Sequence, residues 1–235
     1  MLQREKFDII QQFVSWISSI KICTELSLSD YAILLGGNVI PTPRLIGQIQ
    51  DRHIIAADSG IRHAKALNVE VSKWVGDFDS ATPEMMEEFS EIPRERFPTD
   101  KGQTDGEIAL GRALEAGAQS LLIIGAFGGT TSHATNNILM ALDLSIPVIF
   151  TSGTEEAVLL NAPVAPDWPV GIRFSILAFD DLTSLDVSGA KWPLKNQTIR
   201  AGAGHTLSNV VTGDLSISVK TGRALAIAEF HETAK

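Results

Sequence analysis

The 235-residue chain predicts an α/β fold, with a Rossmann-like parallel sheet covered by helices on both faces and a smaller antiparallel β-sandwich behind it. Three observations carry that expectation. Short apolar runs alternate with helical periods through the first two-thirds of the chain, as parallel strands joined by crossover helices require. Polar and glycine clusters fall where those runs stop, which in an open parallel sheet is the edge where ligands collect. Beyond a proline-rich stretch the helical period disappears and strand patterns take over.

The first segment, residues 1–30, places Ile9, Ile10, Phe13, Trp16, Ile17 and Ile20 on one stripe. That spacing predicts an amphipathic helix whose apolar face packs on a domain or a partner chain. Tyr31 to Leu35, stopped by Gly36-Gly37, and His53 to Ala57, stopped by Asp58-Ser59-Gly60, read as buried parallel strands. Thr42-Pro43 and Thr82-Pro83 each set a capping side chain before a proline at the first helical position. Thr104 with Glu107 forms a capping-box pattern, and Gly117 supplies the stop for that helix. Leu121 to Ile124 predicts a strand, residues 133–142 a helix, and Val148 to Phe150 a further strand. An α/β unit over 31–160 thus ends at the Pro163 to Pro169 region. In the β unit over 168–235, strands are expected at Phe174 to Phe179, Leu215 to Lys220 and Ala224 to Phe230, the last two joined by a hairpin through Thr221-Gly222.

Composition narrows the function classes. With 19 basic and 28 acidic residues the net charge is −9, which argues against a nucleic-acid or anionic-membrane surface. Cys23 is the only cysteine, so no internal disulfide can form and a reducing cytoplasm is expected. No apolar stretch is long enough to span a bilayer.

The chemistry-bearing residues lie in the predicted loops. Asp77 and Asp79 alternate about Phe78, so both carboxylates can face one side while the ring anchors the loop. Such carboxylates repel one another unless a hard cation lies between them, which points to Mg²⁺ carrying nucleotide phosphates; turn chemistry with a helix cap is the alternative. Asp105 would converge on the same crevice, although the helix macrodipole alone also favours an acid there. Lys101 could neutralise phosphate charge, or be a solvated lysine. Gly125 to Gly129 permits close backbone approach to a ligand, and His133, near the next helix start, could bond phosphate or ribose. No serine or cysteine nucleophile constellation, zinc spacing or P-loop consensus is present.

These blocks, in this order, resemble the thiamine pyrophosphokinase family. The motifs are Gly36-Gly37, Ala57-Asp58-Ser59-Gly60, Gly76-Asp77-Phe78-Asp79-Ser80, Lys101 to Asp105, Gly128 to His133 and Ser208-Asn209. The resemblance implies Mg²⁺-dependent transfer of diphosphate from ATP to thiamine, with the α/β unit binding nucleotide and the β unit thiamine. It implies metal binding at Asp77, Asp79 and Asp105, which with Lys101 would be catalytic. Nucleotide contacts would come from Gly37, Asp58, Gly60, Thr104, Gly128, Gly129 and His133, and thiamine contacts from Gln103, Ser208 and Asn209. It further implies a homodimer with active sites at the subunit interface. The chain departs from the family pattern at Thr130 and Ser132, in place of an arginine and an aspartate, and at Gly102, in place of an aspartate. Val210-Val211 stands where an aromatic residue often lies nearby; Trp192 is available in the same unit. Lys101, Lys73 and Arg62 are candidates to replace the missing arginine, Arg62 foremost. Two alternatives stay open: a diphosphokinase for another heteroaromatic alcohol such as a hydroxymethylpterin, and a non-catalytic nucleotide- or thiamine-binding regulator.

Overall fold

The computed structural model describes residues 30–98 and 102–230, so the expected N-terminal helix and Lys101 lie outside the described residues. The fold is mixed α/β about a central sheet. Six strands, β1 (Asp30–Leu34), β2 (His53–Ala57), β3 (Lys73–Gly76), β4 (Arg94–Arg96), β5 (Ser120–Ile124) and β6 (Val148–Thr151), run parallel in the order β6-β5-β1-β2-β3-β4. After β1 the chain winds outward through β2, β3 and β4, then returns to β1's other side as β5. The order therefore reverses between β1 and β5, where a crevice opens at the carboxyl ends of the strands.

Strand periodicity divides the core in two. Ala32, Leu34, Ile54 and Ala56 face Leu45 and Ile49 of helix α1 (Pro43–Ile49) and Ala64 and Leu67 of α2 (His63–Leu67). The alternate residues Ile33, Ile55 and Ala57 pack with Ile108, Ala109 and Ala113 of α4 (Asp105–Glu115). A helix thus covers each face, as the apolar runs require. The sheet's remaining helices are α3 (Pro83–Glu88) and α5 (Thr131–Leu139).

Local signals set the helix starts. Thr42 and Thr82 each accept the backbone N–H three residues on, Leu45 and Met85, at 3.3 Å. Thr104 closes a reciprocal box: its N–H donates to Glu107 Oε2 at 2.7 Å while its hydroxyl accepts the Glu107 N–H at 3.2 Å. Gly117, at φ +87°, follows the end of α4.

Beyond β6 the ladder turns antiparallel through β7 (Glu155–Leu159), β12 (Ala224–Glu229), β8 (Arg173–Ala178), β11 (Asn209–Ser218), β9 (Leu182–Ala190) and β10 (Leu194–Ile199), in that spatial order. The expected hairpin between the last two strands does not form. Every residue from Ala224 to Ala228 except Ile227 is buried, so β12 is an interior strand and takes β7 and β8 as partners. Thr221 instead bridges to Thr183. β11 divides its pairing: Asn209 and Val210 pair with β8, whereas Val211 and Ser216 to Ser218 pair with β9 across an irregularity. The helix expected over 133–142 begins earlier, at its Thr130 cap, and ends at Leu139.

A buried acid pins the junction between the parallel and antiparallel parts of the sheet. Glu156 on β7 is 2% exposed and accepts from Arg44 Nε and Nη2 at 2.8 and 3.0 Å, Gln48 Nε2 at 2.7 Å and Trp168 Nε1 at 2.7 Å. Helix α1, β7 and the segment before β8 meet at this one carboxylate. Among the described residues no helix is long and apolar enough to cross a membrane.

Candidate functional site

The loops after β1, β2, β3 and β5 converge at the β1/β5 crevice. Gly37 N–H donates to the Gly125 carbonyl at 3.0 Å and Asn38 N–H to that of Phe127 at 2.9 Å, clasping the first and last of them together. A Cβ at Gly37 would overlap the carbonyl oxygens of both Gly125 and Phe127, so only glycine fits. We predict that Gly37→Ala lowers the melting temperature by several degrees, corresponding to about 2 kcal/mol or more, in a thermal scan; an unchanged transition would show that the clasp yields.

The result is a cavity of about 500 Å³ lined by Gly37, Asp58, Ser59, Asp77, Gln103, Thr104, Asp105, Gly128, Gly129, Thr130 and His133, together with Asn136 and Asn137. Most of the residues marked in the sequence are therefore neighbours in space. Gly60 is not among them: it is buried against the β1 backbone, where a Cβ would overlap the Leu34 carbonyl. Asn136 and Asn137 lacked any motif signal. Their helical spacing from His133 is what turns them toward the crevice, and Asn137 Nδ2 donates to the Ala126 carbonyl at 3.2 Å.

At the cavity's acidic end, one carboxylate oxygen from each of Asp58, Asp77 and Asp79 lies within 4.8 Å of the others. The backbone holds them there at a cost, since Asp58 and Phe78 sit at φ +44° and +62° without being glycine. Phe78 is 7% exposed and packs edge-on against Trp74 at 4.9 Å, which anchors the loop. Trp74 Nε1 in turn donates to the Asp58 carbonyl at 2.8 Å. Asp58 Oδ2 accepts the Ser80 hydroxyl, yet its buried Oδ1 has no hydrogen-bond partner. The Asp77 charge, more than desolvation or Asp58, raises the pKa of Asp79. Asp105 approaches from α4: a Cβ built on Gly76 would touch both its carboxyl carbon and Asp58 Cβ, at 3.4 and 3.3 Å.

Nearby cations are largely engaged. Arg62 donates to the Gly36 and Gly37 carbonyls at the cavity rim, and Lys73 pairs with Glu95 at 3.2 Å. The Arg96 guanidinium lies 5.6 Å over the Phe78 ring, beside the acidic loop. Burial, with Arg62 adding to it, pushes the pKa of His63 down, while its Nε2 lies 3.0 Å from the Gly37 carbonyl. Thr130, in the place of the family arginine, caps α5, and its hydroxyl is 2.8 Å from His133 Nδ1.

Ser208 and Asn209 lie elsewhere. With Trp192, Leu194, His205 and Ile176 they line a second cavity of about 380 Å³ in the antiparallel part, sharing no residue with the first.

Comparisons with known proteins match both parts. A model of the thiamin pyrophosphokinase catalytic domain covers residues 48–149, and a model of the thiamin pyrophosphokinase vitamin B1 binding domain covers residues 169–225. The fold is shared with the crystal structure of thiamine pyrophosphokinase from Bacillus subtilis, with a TM-score of 0.74 at 23% identity over 86% of this chain and 99% of that one. Thiamin pyrophosphokinase from Geobacillus thermodenitrificans gives 0.74 at 23% identity over 88% and 100%, and the yeast enzyme 0.69 at 17% over 87% of each chain. No curated protein sequence matches the chain. Two domain models of one family, met in order and together spanning most of the chain, show that it belongs to the thiamin pyrophosphokinase family and is an ATP-dependent diphosphotransferase acting on thiamine.

Proposed function

We propose that the β1/β5 crevice binds ATP with Mg²⁺ and that Asp58, Asp77 and Asp79, with Asp105 beside them, hold the ion. The observation that carries this reading is the aspartate cluster with the partnerless buried Oδ1 of Asp58. An all-oxygen donor set suits a hard divalent cation, and mutual repulsion at Asp79 is what a cation would relieve. A bound Mg²⁺ would supply charge neutralisation for the phosphates and polarise the transferred group.

The chain's own residues do the rest. Gly37, Gly128 and Gly129 let backbone approach the phosphates, and His133, with Lys101, adds hydrogen bonds and charge. Arg62 and Arg96 are the cations placed to make up for the arginine replaced by Thr130. Asp105 orients the acceptor hydroxyl, whose oxygen bonds to the β-phosphorus as the bond to the α-phosphate breaks and AMP leaves. Thr104 serves mainly by capping α4, which aims Asp105 and Gln103 into the cavity.

We read residues 31–160 as a Rossmann-like nucleotide-binding unit and 168–235 as a β-sandwich that takes thiamine through Ser208 and its neighbours. A hydrophobic cluster drawn mainly from residues 168–230 supports that division, with Leu225 of β12 joining the core of the first part at the junction. In the ladder, five strand spacings separate β8, beside the second cavity, from β1, roughly 24 Å in all. That exceeds the reach of one thiamine, which supports a homodimer in which each copy's second cavity serves its partner's crevice. One cysteine in the whole chain suits a cytoplasmic enzyme.

AMP release from ATP and Mg²⁺, compared across thiamine, hydroxymethylpterin and no acceptor, tests the reading. Thiamine-dependent release is expected; release only with the pterin, or none from folded protein, would overturn it.

A separate expectation concerns the ion. Because the Asp79 pKa is raised in the fold, its ionised form opposes folding, and that cost appears as pH rises above the ordinary aspartate range. Asp79→Asn is therefore expected to leave the metal-free melting temperature unchanged or slightly higher at pH 7. Wild type should gain several degrees in saturating Mg²⁺ and the variant much less. Equal gains would remove Asp79 from the ion's site.

A further inference from the structure

A groove of about 700 Å³ lies between α1 and the proline-rich segment 161–167, and it shares no residue with the crevice or with the second cavity. Ile149 and Val158, cross-strand partners on β6 and β7, line it and are left only partly buried. Pro163, Val164 and Pro166 line it from the proline-rich segment. That wall is fixed in place. Val164 and Ile217 exchange both backbone hydrogen bonds at 2.9 Å, and Asn161 Nδ2 donates to the Leu144 and Ile146 carbonyls at 2.8 and 2.7 Å. The groove is therefore built into the fold.

Its polar side carries an unmet demand. Gln48 Nε2 donates to Glu156 Oε2 at 2.7 Å, and because a carboxylate takes only the nitrogen end of an amide, that bond fixes which way Gln48 points. Its Oε1 is then buried without a hydrogen-bond partner. Among the described residues the one other such side-chain atom is Asp58 Oδ1, in the crevice. An occupant suited to this groove has an apolar face with a single N–H or O–H donor on it.

A segment of the same chain meets that description. Of the stripe Ile9, Ile10, Phe13, Trp16, Ile17 and Ile20, Trp16 alone has a side-chain donor, an indole N–H that takes an acceptor when buried. The tether is long enough. Residues 1–29 lie outside the described residues and lead into Asp30, the first residue of β1. Asp30 is level with Ser120 of β5, and Leu121 with Val148 of β6, so the chain enters the sheet at the same edge as Pro147 and Val148 of the groove. Two strand spacings separate β1 from β6, roughly 10 Å, whereas the nine residues 21–29 can extend to about 30 Å. Attachment also gives the segment an effective concentration of roughly millimolar, an advantage over any free partner.

We propose that residues 9–20 occupy this groove, with the Trp16 indole N–H donating to Gln48 Oε1. The segment covers the Ile149–Val158 pair and braces α1 against β7 beside the Arg44–Glu156 contact. Its role is stability, and it is independent of which acceptor the enzyme uses.

Melting temperatures of the 235-residue chain test the proposal. Phe13→Asp sets a charge in the stripe, and Ala165→Asp sets one on an exposed residue of the groove; each should lower the melting temperature by about 4 °C or more. Gln11→Asp, on the opposite side of the predicted helix, should change it by less than about 2 °C. The Phe13→Asp, Ala165→Asp double variant should lose little more than the worse single one, since a vacated groove has no further contact to lose. The loss in Trp16→Phe should disappear in a Gln48→Ala background. Contact itself is read by cross-linking: with Cys23→Ser, mild oxidation of Ile17→Cys paired with Ala165→Cys should give a disulfide within one chain. An unchanged melting temperature in Phe13→Asp, additive losses in the double variant, or no disulfide would overturn the proposal. A disulfide formed only between chains would overturn it too, by placing the segment in a second copy's groove.

Discussion

Asp77→Asn is expected to reduce kcat by at least about 10²–10³-fold at saturating ATP and Mg²⁺, with a melting temperature close to wild type. Asparagine matches aspartate in shape and keeps an oxygen where Asp77 Oδ1 accepts the Asp79 N–H at 3.2 Å, so the loop has the same local bond available. The Phe78 anchor against Trp74 is untouched. What changes is charge at the centre of the Asp58–Asp77–Asp79 cluster. Repulsion at Asp79 should fall, so metal-free stability does not suffer, while the attraction that holds a cation falls as well. Wild-type turnover at saturating Mg²⁺ would remove Asp77 from the metal site, whereas recovery at much higher Mg²⁺ would locate the defect in affinity.

Glu156→Ala is expected to have the largest effect on stability, about 3 kcal/mol, which for a chain of this size is a drop of roughly 6–12 °C in melting temperature. The carboxylate satisfies three different side chains at once, and the Glu156 hydrogen bond is the main reason the Arg44 guanidinium is held above its ordinary pKa. Removing it leaves Arg44 half-buried and without its carboxylate partner, the Trp168 indole N–H buried without its acceptor, and a void in the core. Each of these is costly in a low-dielectric interior. The Arg44 contact with the Phe230 ring, 5.0 Å away, retains only part of the loss. Thermal and chemical denaturation should agree on the figure. A loss below about 1 kcal/mol would show that the chain reorganises around the gap, and that the parallel and antiparallel parts are held together by apolar packing alone.

Much of this architecture is legible in the sequence because its signals are local. Fully apolar strands such as Ile54 to Ala57 and Leu121 to Ile124 are buried on both faces and announce themselves, and the threonine caps at Thr42, Thr82 and Thr104 act within one helical turn. The strands that escape notice lack that signal. β4 is Arg-Glu-Arg at the sheet edge, β10 is mostly exposed, and β7 opens on two glutamates, one of which is buried only because Arg44 reaches it from more than a hundred residues away. The failed hairpin has the same origin. Thr221-Gly222 is a plausible turn, but β12 is buried in the sheet interior and its partners are set by packing, not by the nearest turn.

The site divides along the same line. Loops at the carboxyl ends of parallel strands must share an edge, so the neighbourhood of Asp58, Asp77, Asp105 and Gly128 follows from strand order alone. Asn136, Asn137 and Arg96 reach the crevice or its rim by helix phase and strand register and carry no motif. The pairing of Asn209 with Trp192 depends on β11 lying beside β9, a contact between segments that sequence spacing does not relate.

The most direct measurement is the identity of both products when ATP labelled at its β- and γ-phosphorus is incubated with the enzyme, Mg²⁺ and thiamine. The account predicts equal amounts of unlabelled AMP and thiamine diphosphate carrying both labels. ADP with thiamine monophosphate, or ATP cleavage that proceeds without thiamine, would contradict it.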